Sequence, residues 1–277
     1  MIDTEDLTVL RSIHLRLGKK VDSLFAGEYK SAFRGSGMEF EDVRPYVPGD
    51  DVRQLDWNVT ARLGVPHVKQ FREERELQLM LVADVSASMR FGAEKRDKKK
   101  AMAMVLGAIA FSAVRTGDRV GMLTFSHAVE SFVPPKKGRG HAWTLMRNIF
   151  AHPAEGTGSR FSDALMHLHV HLKRRHTICI VSDFLFPPSM QLGILAQKHN
   201  VHAFVIHDPA EQEFPIKGLV DMVDAESGQS RLLDTHVWSS HMNVEQRVHA
   251  IRSQGVLCSE LSTQADPIAV LLQHFRQ

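Results

Sequence analysis

The run Leu77-Gln-Leu-Met-Leu-Val-Ala-Asp-Val-Ser-Ala-Ser-Met89 is apolar until it reaches one carboxylate and two hydroxyls, Asp84, Ser86 and Ser88. An apolar stretch of this length bounded by charge predicts a strand buried on both faces, as in a parallel sheet covered by helices. Asp84 then falls at the carboxyl end of the strand, the edge at which open α/β sheets bind ligands. Oxygen ligands at alternate positions can turn toward one point there, and a carboxylate with neutral hydroxyls suits a hard divalent cation, Mg²⁺ or Mn²⁺. Taken alone, Asp-x-Ser-x-Ser reads more readily as a polar loop whose Ser caps the next helix. The surroundings have to decide.

Composition narrows the field. With 277 residues, 43% of them hydrophobic and 24% charged, the chain can bury a substantial α/β core. A net charge of +2 gives no reason to expect nucleic acid or a membrane surface as partner. Cys179 and Cys258, the two cysteines, lack metal-ligand or CxxC spacing. The start Met-Ile-Asp-Thr-Glu-Asp lacks the basic and apolar regions of a signal peptide, and Ala101–Val114 is too short to span a bilayer. These features predict a cytoplasmic protein with no membrane span.

Along the chain, Leu7, Leu10, Ile13 and Leu17 predict an amphipathic helix before Gly27. Ser31–Arg75 is rich in charge, Gly and aromatic residues, with a turn at Pro48-Gly49. It is expected to be folded surface with paired Arg and Asp, cover for Tyr46 and Trp57, and shielding for an edge beside the Leu77 strand. Val65–Phe71 reads as a strand. Lys95–Lys100 reads as the solvated start of a helix reaching Arg115. Strands follow at Arg119–Phe125 and Val129–Val133, the latter stopped by Pro134-Pro135, and Lys136–Gly140 reads as a surface loop. A helix from about Ser162 carries Phe161, Leu165, Leu168 and Leu172 as its core stripe. On that helix only His167 and His171, four apart, could share a ligand, and a solvated face is the simpler reading. His176–Val181 is another buried strand, followed by a helix at Gln191–Lys198, a strand at Val201–Ile206 and a hairpin at Leu219–Val223 with Arg231–Leu233. Closing helices carry Val237, Val244, Val248 and Ile251, then Asp266-Pro267 as cap and first residue. Alternating strands and helices predict a mostly parallel central sheet with helices on both faces.

That architecture brings a second buried strand, ending in Ser182-Asp183, to the same edge as Asp84. The Gly-rich loop Gly156-Thr-Gly-Ser-Arg-Phe-Ser-Asp-Ala-Leu adds hydroxyls before a helix. Together, Asp84-x-Ser86-x-Ser88, a middle-loop hydroxyl and Asp183 resemble the metal-ion-dependent adhesion site of von Willebrand factor A domains. Arg119-Val-Gly-Met-Leu-Thr-Phe-Ser resembles their second strand. Gly35–Met89, with Arg-Gly-x-Gly, Pro-Gly-Asp-Asp-Val-Arg, Asp-Trp and Glu-Arg-Glu before Asp-x-Ser-x-Ser-Met, is similar to the bacterial branch filed as domain of unknown function fifty-eight.

The resemblance implies a von Willebrand factor A-like (Rossmann-like) domain over residues 76–277, preceded at 1–75 by a helix and a family-specific extension packed on it. It implies direct metal ligation by Ser86 and Ser88, with Asp84 and Asp183 acting mainly through water. Counting back from Ala164-Leu165 gives Ser159 as the middle ligand, with Arg160 where the family usually has Asp; Thr157 is the rival hydroxyl. The implied function is a non-catalytic, metal-dependent interaction module that binds an acidic side chain of a partner. Family members are commonly encoded with MoxR-type AAA+ ATPases, in chaperone-like assembly or metal insertion. The alternative is a metal-assisted hydrolase or phosphotransferase using Asp84 or Ser86. Against that alternative, the sequence offers no second carboxylate beside Asp84, no Gly-x-Ser-x-Gly elbow and no assignable nucleophile–base pair.

Overall fold

A computed structural model describes residues 39–72, 77–93, 96–151, 159–187, 189–211, 218–223, 230–234 and 243–276. The helix expected over Leu7–Leu24, Val237 and the rival ligand Thr157 lie outside them. The chain divides into two compact units, one over Phe33–Glu76 and the other including Leu77–Gln277.

In the smaller unit, β1 (Glu39–Pro45) and β2 (His67–Arg72) form an antiparallel pair on either side of α1 (Trp57–Leu63). The Asp56 carboxylate caps α1 by accepting from Asn58 and Val59 N–H at 2.9 and 3.1 Å, and Gly64 ends it with φ +70°. The expected charge pairing is present. Arg44 grips Asp50 through two bonds of 2.7 Å, and those bonds pull the Asp50 carboxyl down to about 2. Trp57 does not find the expected cover: it is 69% exposed. No residue of α1 is buried, while Val68 of β2 is.

The larger unit begins with β3 (Gln78–Asp84), fully buried from Leu79 onward. A short pair, β4 (Gly92–Ala93) and β5 (Arg96–Asp97), leads into α2 (Lys98–Arg115). Asp97 caps α2, accepting from Lys100 N–H at 2.6 Å. There follow β6 (Arg119–Phe125), β7 (Val129–Lys136), α3 (Arg139–Ala151), α4 (Phe161–His171), β8 (Thr177–Ser182), α5 (Met190–Lys198) and β9 (Asn200–His207). The hairpin of β10 (Leu219–Val223) and β11 (Ser230–Asp234) stands apart from the main sheet. The chain closes with α6 (Val244–Arg252), β12 (Leu257–Ser262) and α7 (Pro267–His274), whose cap is Asp266.

The main sheet has the order β12-β9-β8-β3-β6-β7, parallel throughout except for β7. Alternate residues of each buried strand serve opposite faces. Met80, Val82, Ile178 and Ile180 join a core with Leu165 and Leu168 of α4, Leu192 of α5 and Ile251 of α6. On the other face α2 packs against the sheet, with α3 and α7 beside it. Each such Leu, Ile or Val contributes about 1.5–3 kcal/mol on burial. No helix among the described residues is long and apolar enough to cross a membrane.

Several expectations are corrected. β3 is central, paired with β6 and β8, so there is no bare edge beside it to shield. β7 runs through Pro134 and Pro135 to Lys136, which a border strand with one partner tolerates. Helix α3 begins inside the stretch read as a surface loop. Lys98, in the supposedly solvated basic run, is completely buried.

Candidate metal centre

Counted along the chain, the sheet's strands lie in the order third, second, first, fourth, fifth, sixth. Its switch point therefore falls between β3 and β8, where successive connections leave in opposite directions and open a crevice at the carboxyl ends. Asp84 ends β3 and Asp183 follows β8. Both carboxylates are buried.

The backbone shapes each contribution. Beyond Asp84, Val85 N–H still bonds Phe125 C=O at 2.8 Å, after which the chain tightens into a turn at Ala87–Arg90. Ser86 N–H donates to Asp84 Oδ1 at 3.0 Å, and Ser182 Oγ donates to Asp84 Oδ2 at 2.6 Å. Desolvation raises the Asp84 carboxyl to about 7, the charge of Asp183 adds to the rise, and the bonds from Ser182 and Ser86 oppose it. The Ser86 and Ser88 hydroxyl oxygens stand 3.1 Å apart.

Ser159 sits just before α4. Arg160 N–H bonds Ser126 C=O at 2.9 Å, fixing this entry next to the end of β6. Ser159 Oγ is buried without a hydrogen-bond partner among the described residues. The Arg160 side chain is 72% exposed and faces Asp163 at 3.5 Å, so its charge is turned to solvent.

After β8, Asp183 Oδ1 accepts from Leu185 N–H at 3.2 Å and Oδ2 from Lys98 Nζ at 3.0 Å. The same ammonium pairs with Glu211, and Arg247 donates to Asp183 C=O. Burial lowers the Arg247 pKa while Asp183, Glu211 and Glu260 raise it. Phe184 has φ +51°, an uncommon conformation for a bulky residue. Its N–H is held by Ser182 Oγ at 2.9 Å and its ring packs edge-on to Phe161 at 5.6 Å.

These residues suit a small hard cation. Around an ion with oxygen ligands at about 2.1 Å, neighbouring ligands of an octahedron lie about 3 Å apart, which matches the Ser86–Ser88 pair. The Ser159 hydroxyl, without a partner among the described residues, is an oxygen able to bind an ion, and the buried Asp84 carboxyl beside the charge of Asp183 favours a nearby cation. Among the described residues no three His, Cys, Asp or Glu side chains cluster as metal ligands, so a site here depends on hydroxyls. His167 and His171 are no such centre. Their rings stack at 4.0 Å, both lie against Phe132, and His171 Nδ1 bonds His167 C=O at 2.8 Å.

The sequence profile of the family described as protein of unknown function DUF58 matches residues 42–254. The chain belongs to the DUF58 family. An uncharacterized protein of Mycobacterium tuberculosis (strain ATCC 25618 / H37Rv) is 37% identical over 233 residues, 83% of this chain and 74% of the relative. Among solved structures, an aerotolerance-related membrane protein from Bacteroides fragilis, with multiple mutations to serines, aligns with TM-score 0.51 and 12% identity over 73% of this chain and 100% of its own. BatB from Bacteroides thetaiotaomicron, a conserved hypothetical protein, aligns with TM-score 0.51 and 14% identity over 72% and 97%. Both likenesses concern the fold, which in this DUF58 chain is a mostly parallel sheet between two helical layers.

Four participants escaped the sequence reading of this DUF58 domain: Ser182, Lys98, Glu211 and Arg247. Ser182 was legible as the residue before Asp183 at a strand end. The other three come from distant segments, and no local pattern announces their meeting.

Proposed function

We propose that this DUF58 chain is a non-catalytic, metal-dependent protein-interaction module. The reading rests on one observation, the convergence at the sheet's switch point of Asp84 with two hydroxyls 3.1 Å apart. Ser86, Ser88 and Ser159 would hold Mg²⁺ or Mn²⁺ directly, with Asp84 and Asp183 supporting it through water. An ion held by neutral hydroxyls stays electropositive and offers an open position to a partner's Glu or Asp.

The partner in this reading is a MoxR-type AAA+ ATPase, met in the cytoplasm during chaperone-like assembly or metal insertion. Buried reduced cysteines suit that compartment; Cys179 and Cys258 are both free and buried. A catalytic role for Asp84 or Ser86 has less support. Both Asp84 oxygens are engaged as acceptors, and the Ser86 hydroxyl, which lies beside Ser88 Oγ and bonds Asp84, faces a carboxylate already held by Ser182 Oγ and Ser86 N–H.

A pull-down with a MoxR-type ATPase from the same organism tests the proposal. The complex should form in Mg²⁺, weaken in EDTA and weaken with Ser86→Ala. Equal capture in all three conditions sinks it, and phosphoester hydrolysis that disappears with Asp84→Asn would favour the enzymatic alternative.

A further inference from the structure

Lys98 is among the largest completely buried side chains of the described residues, and the metal reading makes no use of it. It is held from every side. Its N–H bonds Phe91 C=O at 3.2 Å, its ammonium lies 5.8 Å from the centre of the Phe91 ring, and the ammonium itself joins Asp183 and Glu211. A buried cation needs such pairing, because an unpaired one would be expelled or neutralised. The pairing has a consequence for Asp183: part of the negative charge that would draw in a divalent ion is already matched by a covalently attached ammonium.

We propose that Lys98 is an internal counter-ion that sets how tightly this site takes a divalent cation. Resting on the metal reading above, the inference names what regulates that site. The ammonium competes with the ion for Asp183 and repels it, so the free protein binds metal weakly. The Lys98–Glu211 bond anchors the ammonium, which keeps the metal-free crevice from holding two bare carboxylates. The site thus remains folded and ready when no metal is bound.

Mn²⁺ titration of the full-length protein, read by the spectroscopic signal of free Mn²⁺ and by thermal melting, tests this. The proteins compared are wild type, Lys98→Met, the charge-balanced Lys98→Met/Glu211→Gln, and Ser86→Ala in each background. Both Lys98 variants should bind Mn²⁺ at least about tenfold more tightly than wild type, and Ser86→Ala should remove that binding. Mn²⁺ should raise the melting temperature of Lys98→Met more than that of wild type. The double variant covers the case in which Lys98→Met fails to fold. Equal affinity in wild type and the folded Lys98 variants, still lost with Ser86→Ala, overturns the role of Lys98 and leaves the metal site standing. Tighter binding that ignores Ser86→Ala also overturns it, since the ion would then sit elsewhere. If no folded protein binds Mn²⁺, the metal reading falls and this inference with it.

Discussion

Ser182 on β8 donates its hydroxyl proton to Asp84 Oδ2 on neighbouring β3 at 2.6 Å, while the same oxygen atom of Ser182 accepts from Phe184 N–H at 2.9 Å. One side chain therefore ties the end of the first sheet strand to the turn that carries Asp183. Calorimetry should show a single Mg²⁺ site in wild type and none in Asp84→Ala, which should stay folded because it removes a desolvated carboxylate. Ser182→Ala should destabilise by about 1–3 kcal/mol, the cost of stripping a buried carboxylate of one donor, and should weaken Mg²⁺ binding. Unchanged Mg²⁺ binding by Asp84→Ala would remove Asp84 from the site.

The far side of the sheet carries a relay of neutral histidines. Ser259 Oγ lies 2.7 Å from His274 Nδ1, and His274 Nε2 lies 2.9 Å from His202 Nδ1. Burial first, then the charge of His274, pushes His202 down to about 3, and burial with the charge of Arg252 pushes His274 down to about 4. The unfolded chain, with histidines near 6.5, binds protons that the fold refuses. Stability present above about pH 6.5 is therefore lost as pH falls toward 4, by about 2 kcal/mol per histidine at pH 5. Urea midpoints at pH 7.5 and pH 5 measure this, and His202→Phe should flatten the difference. Identical midpoints for wild type would contradict the buried neutral pair.

Gly121 on β6 faces the irregular stretch of β7. A methyl group there would stand 2.6 Å from Val133 C=O oxygen and 2.8 Å from Pro135 N, both backbone atoms with nowhere to go. Gly121→Ala should cost about 1–3 kcal/mol through overpacking and should loosen β7 first. Hydrogen exchange resolved by strand checks this, and uniform protection of β7 in the variant would refute it.

The parts of the fold that the sequence revealed are those where one physical rule acts alone. β3 and β8 are buried on both faces, so their apolar runs stop where the sheet stops, and Asp84 and Asp183 mark that line. Lys98 shows where the rule fails. Successive helical residues point about 100° apart, so one lysine of a basic run can face inward while its neighbours meet water, and only distant Glu211 and Asp183 reveal which. β1, rich in charge, is a strand because of its ladder to β2, with no apolar alternation to signal it. Helix α3 lacks a polar capping signal and begins amid Gly138, Arg139 and Gly140, which read as a loop.

The two borders of the main sheet are poor templates for another chain. On β7, Pro134 and Pro135 have no N–H to offer an incoming strand, and on β12 Glu260, 49% exposed, sets a carboxylate where a docking hydrophobic face would need to lie. Cross-β stacking between copies is thereby discouraged at its starting points. Many molecules can be crowded together at high local concentration, each presenting the crevice at its strand ends, without seeding fibrils through their flanks.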